Sequence, residues 1–120
     1  MNNPLPPINS KKFKRHKPKG CRKADPLEAT IERQVCAHAK SKGIPSRKFV
    51  TPNRRSAPDR IFLPGKGQCF FIEFKRLGKK PTEGQYREHT RLREDGYEVY
   101  VVDNITDGVK VINTWLALNR

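Results

Sequence analysis

The sequence predicts an α/β fold in which a mixed central sheet of about four strands is flanked by helices. Segments with helical periodicity alternate with short apolar runs rich in β-branched and aromatic residues, in the order helix, three strands, helix, strand, helix. A Pro-Gly turn separates two of the apolar runs, and glycines follow the first two helical segments, where helices commonly end. The length of 120 residues, with no internal repeat, indicates one domain with a modest core.

The first helix is predicted from about Leu27 to Lys42. Asp25 followed by Pro26 favours a helix start, because aspartate caps the first turn and proline is tolerated at the first helical position. Gly43 then ends the helix. Apolar residues at helical spacing predict the face that packs on the core: Leu27, Ile31, Val35 and Ala39.

Three strands should follow this helix. Residues 47–51 form a short strand, and residues 52–58 form a basic, polar loop. Residues 59–63 and 68–75 are apolar runs on either side of the Pro-Gly turn at 64–67, so they are expected to pair as a hairpin.

The second helix begins at Thr82 after a basic loop at 76–81. Gln85 stands three residues beyond Thr82, which is the spacing of a capping box, and the helix should run to about Asp95 and end at Gly96.

The last two elements are a strand at 97–102 and a helix at about 106–118. The helix should bury Val109, Ile112, Trp115 and Leu116. The large aromatic residues are expected in the core rather than as base-stacking platforms, since no RNP-like aromatic pattern is present; they are Phe49, Phe70, Phe71, Tyr97 and Trp115.

The net charge of +14 is unevenly placed. Residues 1–24 contain eight Lys and Arg, no acidic residue and no apolar periodicity, so they are predicted to form a disordered basic arm ahead of a domain at 25–120. A balance this basic indicates a polyanionic partner.

The three cysteines and three histidines suggest no metal site or disulfide framework. Cys21, Cys36 and Cys69 are odd in number and far apart, so free thiols in a reducing cytoplasm are expected. No apolar run has the length of a membrane span or the character of a secretory signal, and neither a membrane nor a nucleotide cofactor is expected as a partner. His89 is expected on a helix surface, without a role.

Three polar residues stand out in otherwise apolar strands. Asp59 follows Pro58 at the start of one strand, and Glu73 and Lys75 lie on one face of the next, because side chains alternate along a strand. Closely spaced carboxylates can hold a hard divalent cation at a phosphodiester, and a nearby ammonium can orient the attacking water. The pattern predicts a metal-dependent nuclease. The alternative is that Asp59 caps a turn and that Glu73 and Lys75 form a surface pair.

These motifs resemble the PD-(D/E)XK nuclease superfamily, and most closely a stand-alone VRR-NUC domain. The segments that carry the resemblance are residues 54–59, residues 71–75 followed by 78–82 and Gln85, and residues 96–103. Together with the first helix they span roughly residues 27–118. The resemblance implies the restriction-endonuclease-like fold with the order αβββαβα.

The resemblance also implies roles for individual residues. Asp59 and Glu73 would ligate Mg²⁺ or Mn²⁺, with the backbone carbonyl of Phe74 as a further ligand. Lys75 would lie beside the attacking water. Gln85 matches a family glutamine that contacts the site, although a capping-box role explains the same residue.

The family further uses an acid from the first helix, and two glutamates qualify. At about 100° per residue, Glu28 falls inside the apolar stripe, whereas Glu32 lies at its edge. A buried acid is costly unless it serves a site, so Glu28 is preferred and Glu32 remains the alternative.

Basic residues near these acids in sequence are expected to bind phosphates: Arg47, Lys48, Arg54, Arg55, Arg76, Lys79 and Lys80. The predicted function is Mg²⁺-dependent endonucleolytic cleavage of DNA. By resemblance, the chain would be a phage-like or bacterial homodimer acting on branched DNA such as Holliday junctions. The alternatives are a non-catalytic basic nucleic-acid-binding protein and a sequence-specific restriction or nicking nuclease.

Overall fold

The computed structural model describes residues 26–52 and 56–119. The predicted arm at 1–24, the predicted helix cap Asp25, and Arg54 and Arg55 lie outside these residues. The predicted element order is confirmed. The elements are α1 (Glu28–Ser41), β1 (Ser46–Lys48), β2 (Arg60–Gly65), β3 (Gln68–Phe74), α2 (Glu83–Glu94), β4 (Glu98–Val102) and α3 (Ile105–Leu118).

The strands form a mixed sheet in the order β1-β2-β3-β4. β2 is antiparallel to β1 and to β3, so the predicted hairpin is present, with Phe62 opposite Phe70. β4 lies parallel to β3, and α2 supplies the crossover that a parallel pair requires. Since β3 is central, five consecutive side chains from Phe70 to Phe74 are buried.

Helices cover both faces of the sheet. On one face α1 and α3 bury apolar side chains against Phe70, Ile72 and Phe74, and Trp115 stacks on Phe70 with ring centroids 5.3 Å apart. The two helices approach closely at Gly108, where an added Cβ would lie 2.3 Å from Cγ2 of Val35. The α/β fold with a sheet flanked by helices is therefore confirmed.

The opposite face of β3 carries Phe71 and Glu73. Phe71 packs against Phe49 and Tyr97, with centroid distances of 5.1 and 6.1 Å. α2 covers Glu73 on this face, since the side chain of His89 from that helix lies against it. Glu73 is only 2% exposed as a result.

Some predicted boundaries were wrong. α1 begins at Glu28, so Pro26 is not its first helical residue, and Leu27 at the N-cap position makes no side-chain cap and is 58% exposed. The packing stripe therefore begins at Ile31. In α3 Val109 is only partly buried, and Gly108 is the residue that lies against Val35 of α1.

The strand limits also shift. β1 covers Ser46–Lys48 rather than 47–51, because only its first residues pair fully with β2, although the amide of Phe49 still donates to the carbonyl of Asp59 at 3.0 Å. β2 continues through Gly65 by means of an irregular register, so the turn is shorter than predicted. Cys36 and Cys69 are free cysteines. Within 26–52 and 56–119, no helix is both long and apolar enough to cross a membrane.

Candidate active site

Asp59 is anchored to the end of the central strand. It stands immediately before β2, and its Oδ2 accepts a hydrogen bond of 2.7 Å from the backbone amide of Phe74. This bond places the Asp59 carboxylate beside the strand segment that carries Glu73 and Lys75. The antiparallel pairing of β2 and β3 is what brings the two motifs together.

Glu73, Lys75 and Gln85 form a connected network. Lys75 Nζ donates to Gln85 Oε1 at 2.8 Å, and Gln85 Nε2 donates to Glu73 Oε2 at 3.0 Å. Lys75 Nζ also lies 3.4 Å from Glu73 Oε2, and the Lys75 side chain is 14% exposed. The acid and the lysine are therefore a semi-buried pair held by an amide, and not a pair on an exposed sheet surface.

Gln85 serves the helix start and the site at the same time. Its backbone amide donates to Thr82 Oγ1 at 3.2 Å, and its Oε1 accepts from the Thr82 amide at 2.9 Å, which completes the predicted capping box. The same Oε1 accepts from Lys75, which leaves Nε2 for Glu73. The two interpretations of Gln85 are thus compatible, because each end of the amide has its own partners.

The carboxylates of the site repel one another in a partly desolvated space. Burial, and next the charge of Asp59, raise the pKa of Glu73 to about 7. Burial also raises the pKa of Asp59, against the opposing effect of the Phe74 amide, and burial followed by the charge of Asp59 raises the pKa of Glu28. A bound cation would relieve this repulsion.

The two glutamates of α1 have different surroundings. Glu32 Oε2 accepts from Arg60 Nε at 2.6 Å and lies 3.4 Å from Lys48 Nζ, so its charge is compensated by cations. Glu28 forms no ion pair with a residue in the described part of the chain, and the charges that act on its pKa include those of Asp59 and Lys75. Both glutamates are coupled to the carboxylate cluster, since the pKa of Asp59 is raised by burial and then by the charge of Glu32, but of the two only Glu28 lacks an ion pair among the described residues.

The donor set suits a hard divalent cation. Asp59, Glu73 and Glu28 offer carboxylate oxygens, which Mg²⁺ and Mn²⁺ prefer. Across 26–52 and 56–119, no three Asp, Glu, His or Cys side chains are already arranged around one ion position. Asp59 Oδ2 accepts from the Phe74 amide and Glu73 Oε2 accepts from Gln85, so one oxygen of each carboxylate is held by the protein.

The predicted phosphate-binding residues divide into two groups. Arg76, Lys79 and Lys80 are exposed on the loop directly after Lys75. This loop is tied down by its Gly78 amide, which donates to Asp103 Oδ2 at 2.9 Å. Arg47 and Lys48 are exposed on β1, at the edge of the sheet.

Sequence reasoning missed two residues at or near the site. Arg60 joins β2 to α1 through a hydrogen bond to Glu32. No local sequence pattern predicted this interaction. The expectation that His89 lies on a helix surface was wrong, since this residue is 1% exposed. Its position four residues after Gln85, on the same helix face, was the available signal.

The fold and the site together define a class. An αβββαβα domain in which Asp59, just before β2, lies beside Glu73 and Lys75, at the end of β3, has the architecture of the PD-(D/E)XK nucleases. No protein-family profile matches the chain. A relative from Acyrthosiphon pisum secondary endosymbiont phage 1, named "Putative nuclease p44", is 40% identical over 77 residues, which are 64% of this chain and 83% of the phage protein.

A solved structure described as a VRR_NUC domain has a similar fold. It superimposes with a TM-score of 0.68 at 29% sequence identity, over 73% of this chain and 96% of the solved chain. The chain belongs to the VRR-NUC nucleases.

Proposed function

We propose that this protein is a metal-dependent DNA endonuclease that hydrolyses phosphodiester bonds. The observation that carries the proposal is the cluster of Asp59, Glu73, Lys75 and Gln85, in which an ammonium is held 3.4 Å from a buried carboxylate. A net charge of +14 supports a polyanionic substrate. A binding protein without catalysis would leave the cost of these desolvated acids without an explanation.

The residues that would hold Mg²⁺ or Mn²⁺ are Asp59, Glu73, the Phe74 carbonyl and Glu28. A bound cation of this kind polarises the phosphate and lowers the pKa of its bound water. Lys75 orients the attacking water and offsets negative charge as the phosphate is attacked. Gln85 fixes both Lys75 and Glu73, so that the ammonium and the carboxylate keep their spacing.

The proposed substrate is branched DNA, such as a four-way junction, and the proposed assembly is a homodimer. The support is the family resemblance together with symmetry, because a two-fold dimer presents two equivalent sites to the two symmetric strands of a junction. An exposed loop directly follows Lys75 and carries Arg76, Lys79 and Lys80. Its basic side chains can bind phosphates next to the scissile bond.

The test compares linear, flap and four-way DNA, with and without Mg²⁺. Asp59→Ala and Glu73→Ala should abolish cleavage while DNA binding is unchanged or slightly tighter, because the removed charges repel phosphate. Glu83→Ala is the matched control, since the Glu83 side chain is 91% exposed on the first turn of α2. Full activity of either site variant, with a chelator still inhibiting the wild type, would contradict the site.

A further inference from the structure

His89 is a buried histidine on the inner face of α2. It is 1% exposed, and neither ring nitrogen has a hydrogen-bond partner within the described part of the chain. Its Nε2 lies 3.9 Å from Oε1 of Glu73, a buried oxygen that likewise has no partner among the described residues. Two unsatisfied polar atoms therefore face each other across a distance slightly too long for a hydrogen bond.

This arrangement is energetically unfavourable unless the imidazole has a functional role. A buried polar group without a partner lowers stability, and an apolar side chain of similar size would fill the same space without that penalty. Nothing in the network of Gln85 and Lys75 requires the ring, because both of those side chains act on Oε2 of Glu73. A functional role of His89 would therefore involve the other oxygen of Glu73, Oε1.

The helix geometry places both supports of Glu73 on one face of α2. Gln85 and His89 are four residues apart, so their side chains are neighbours on the helix surface. Gln85 Nε2 holds Oε2 at 3.0 Å, while His89 Nε2 faces Oε1. Side chains of one helix thus face both oxygens of the Glu73 carboxylate on the central strand.

We propose that His89 is a positioning residue for Glu73, which donates its Nε2–H to Oε1 and fixes the rotation of the carboxylate when the site is occupied. An approach of about 1 Å turns the present separation into an ordinary N–H···O bond. With both oxygens supported, the carboxylate keeps one orientation toward a cation. The inference rests on the proposed metal-dependent function.

The protonation state of the ring agrees with this role. Burial, and then the positive charges of Arg93 and Lys75, lower the pKa of His89, so the ring is neutral and carries one N–H. Because Nε2 is the nitrogen that faces an acceptor, the proton belongs on Nε2. Nδ1 is then an acceptor without a donor among the described residues.

The experiment uses the whole chain with His89→Leu, His89→Gln and, as a control, His38→Gln. His38 lies on α1 and bonds Asn113, away from the site. Three quantities are measured: Mn²⁺ affinity by calorimetry without DNA, the melting temperature, and single-turnover cleavage against DNA concentration. His89→Leu should melt at or above the wild-type temperature, yet bind Mn²⁺ about 10- to 100-fold more weakly.

Cleavage by His89→Leu should slow at saturating DNA with little change in the DNA concentration at half-maximal rate. His89→Gln should recover most of the Mn²⁺ affinity, since its side-chain amide can donate from a similar position. Ring nitrogen chemical shifts of wild-type His89, measured with Mg²⁺, should show the Nε2–H tautomer. This last measurement needs no variant, so it stands even if His89→Leu fails to fold.

Wild-type Mn²⁺ affinity in His89→Leu, no recovery in His89→Gln, or an Nδ1–H tautomer would each overturn the positioning role. The proposed function fails differently: the wild type itself would then neither bind Mn²⁺ nor require a metal for cleavage, and that result would overturn the positioning role as well.

Discussion

Glu73 is the residue where folding and function conflict most. Burial and the nearby Asp59 raise its pKa from 4.5 to about 7, so folding favours its protonated form. Because the folded-state pKa is the higher one, this contribution to stability is present below pH 4.5 and is lost as the pH rises through about 7. At pH 8 the metal-free protein therefore carries a buried, repelled charge.

Replacing Glu73 with Gln should remove that destabilisation. In the presence of a chelator, Glu73→Gln should raise the melting temperature at pH 8, by an amount that corresponds to at most about 3 kcal/mol, and the gain should shrink toward pH 5. Melting curves between pH 5 and 8.5 measure this difference. Glu83→Gln provides the exposed control, and a gain independent of pH would show that Glu73 is not repelled.

Substitution of the two glutamates of α1 should have different effects on cleavage and on stability. Glu28→Gln should lower cleavage at least about 10-fold with little loss of stability, because Glu28 belongs to the carboxylate cluster. Glu32→Gln should retain cleavage but lose roughly 1–3 kcal/mol of stability, because the 2.6 Å contact with Arg60 is weakened. Cleavage rates and urea unfolding of both variants test this, and equal small losses of activity would mean that α1 supplies no ligand.

At this scale the sequence was most informative where a residue contrasts with its neighbours. Glu73 and Lys75 are charged positions in an apolar strand, so their local pattern alone singled them out. His89 lies in a helix with little apolar periodicity, and it is nevertheless the residue of α2 that packing buries. Its burial depends on how α2 packs on the sheet, and a helix sequence does not encode that choice by itself.

At the scale of elements, a residue at the end of β4 holds the loop after β3 in place through a hydrogen bond. Asp103 follows β4, and its Oδ2 accepts from the amide of Gly78, a bond that also lowers the pKa of Asp103. Gly78 has a φ of +82°, so the loop makes a turn that favours glycine. The turn fixes the loop between Arg76 and Lys80 beside the site.

Asp103→Ala should loosen this loop without altering the carboxylates of the site. We expect DNA affinity to fall by about 3- to 10-fold at low salt, which corresponds to one charge-assisted hydrogen bond, while the rate at saturating DNA changes little. Fluorescence anisotropy with a chelator present measures the affinity. Asp95→Ala is the control at the exposed end of α2, and equal affinity of the two variants would exclude this role for Asp103.

The limits of sequence reasoning at this scale are also physical. Thr82 and Gln85 located the start of α2 correctly, because a capping box is a local interaction. The start of α1 was placed too early, because the Asp25-Pro26 signal competes with the packing that begins at Ile31. Gly108 looks unfavourable in a helix until its contact with Val35 is seen.

For the whole molecule, periodicity predicts the elements and not their arrangement. The hairpin of β2 and β3 follows from a short turn, whereas the parallel neighbour β4 is set by a crossover that no local pattern fixes. The predicted mixed sheet did not specify which strands form the parallel pair. The charge distribution, in contrast, is read directly from the sequence, and it predicts a basic arm ahead of the nuclease domain.

Deleting residues 1–24 should weaken DNA binding and flatten its salt dependence. The segment holds eight Lys and Arg and no acid, and for every phosphate that is no longer neutralised the slope of log affinity against log salt falls by roughly 0.9. Turnover at saturating DNA should survive, because every proposed catalytic residue lies at or beyond Glu28. Titrations at several salt concentrations measure the slope, and a full-length variant with the eight basic residues changed to Gln separates charge from length. An unchanged slope would mean an inert arm, whereas an inactive but folded truncated protein would place the arm within the active site.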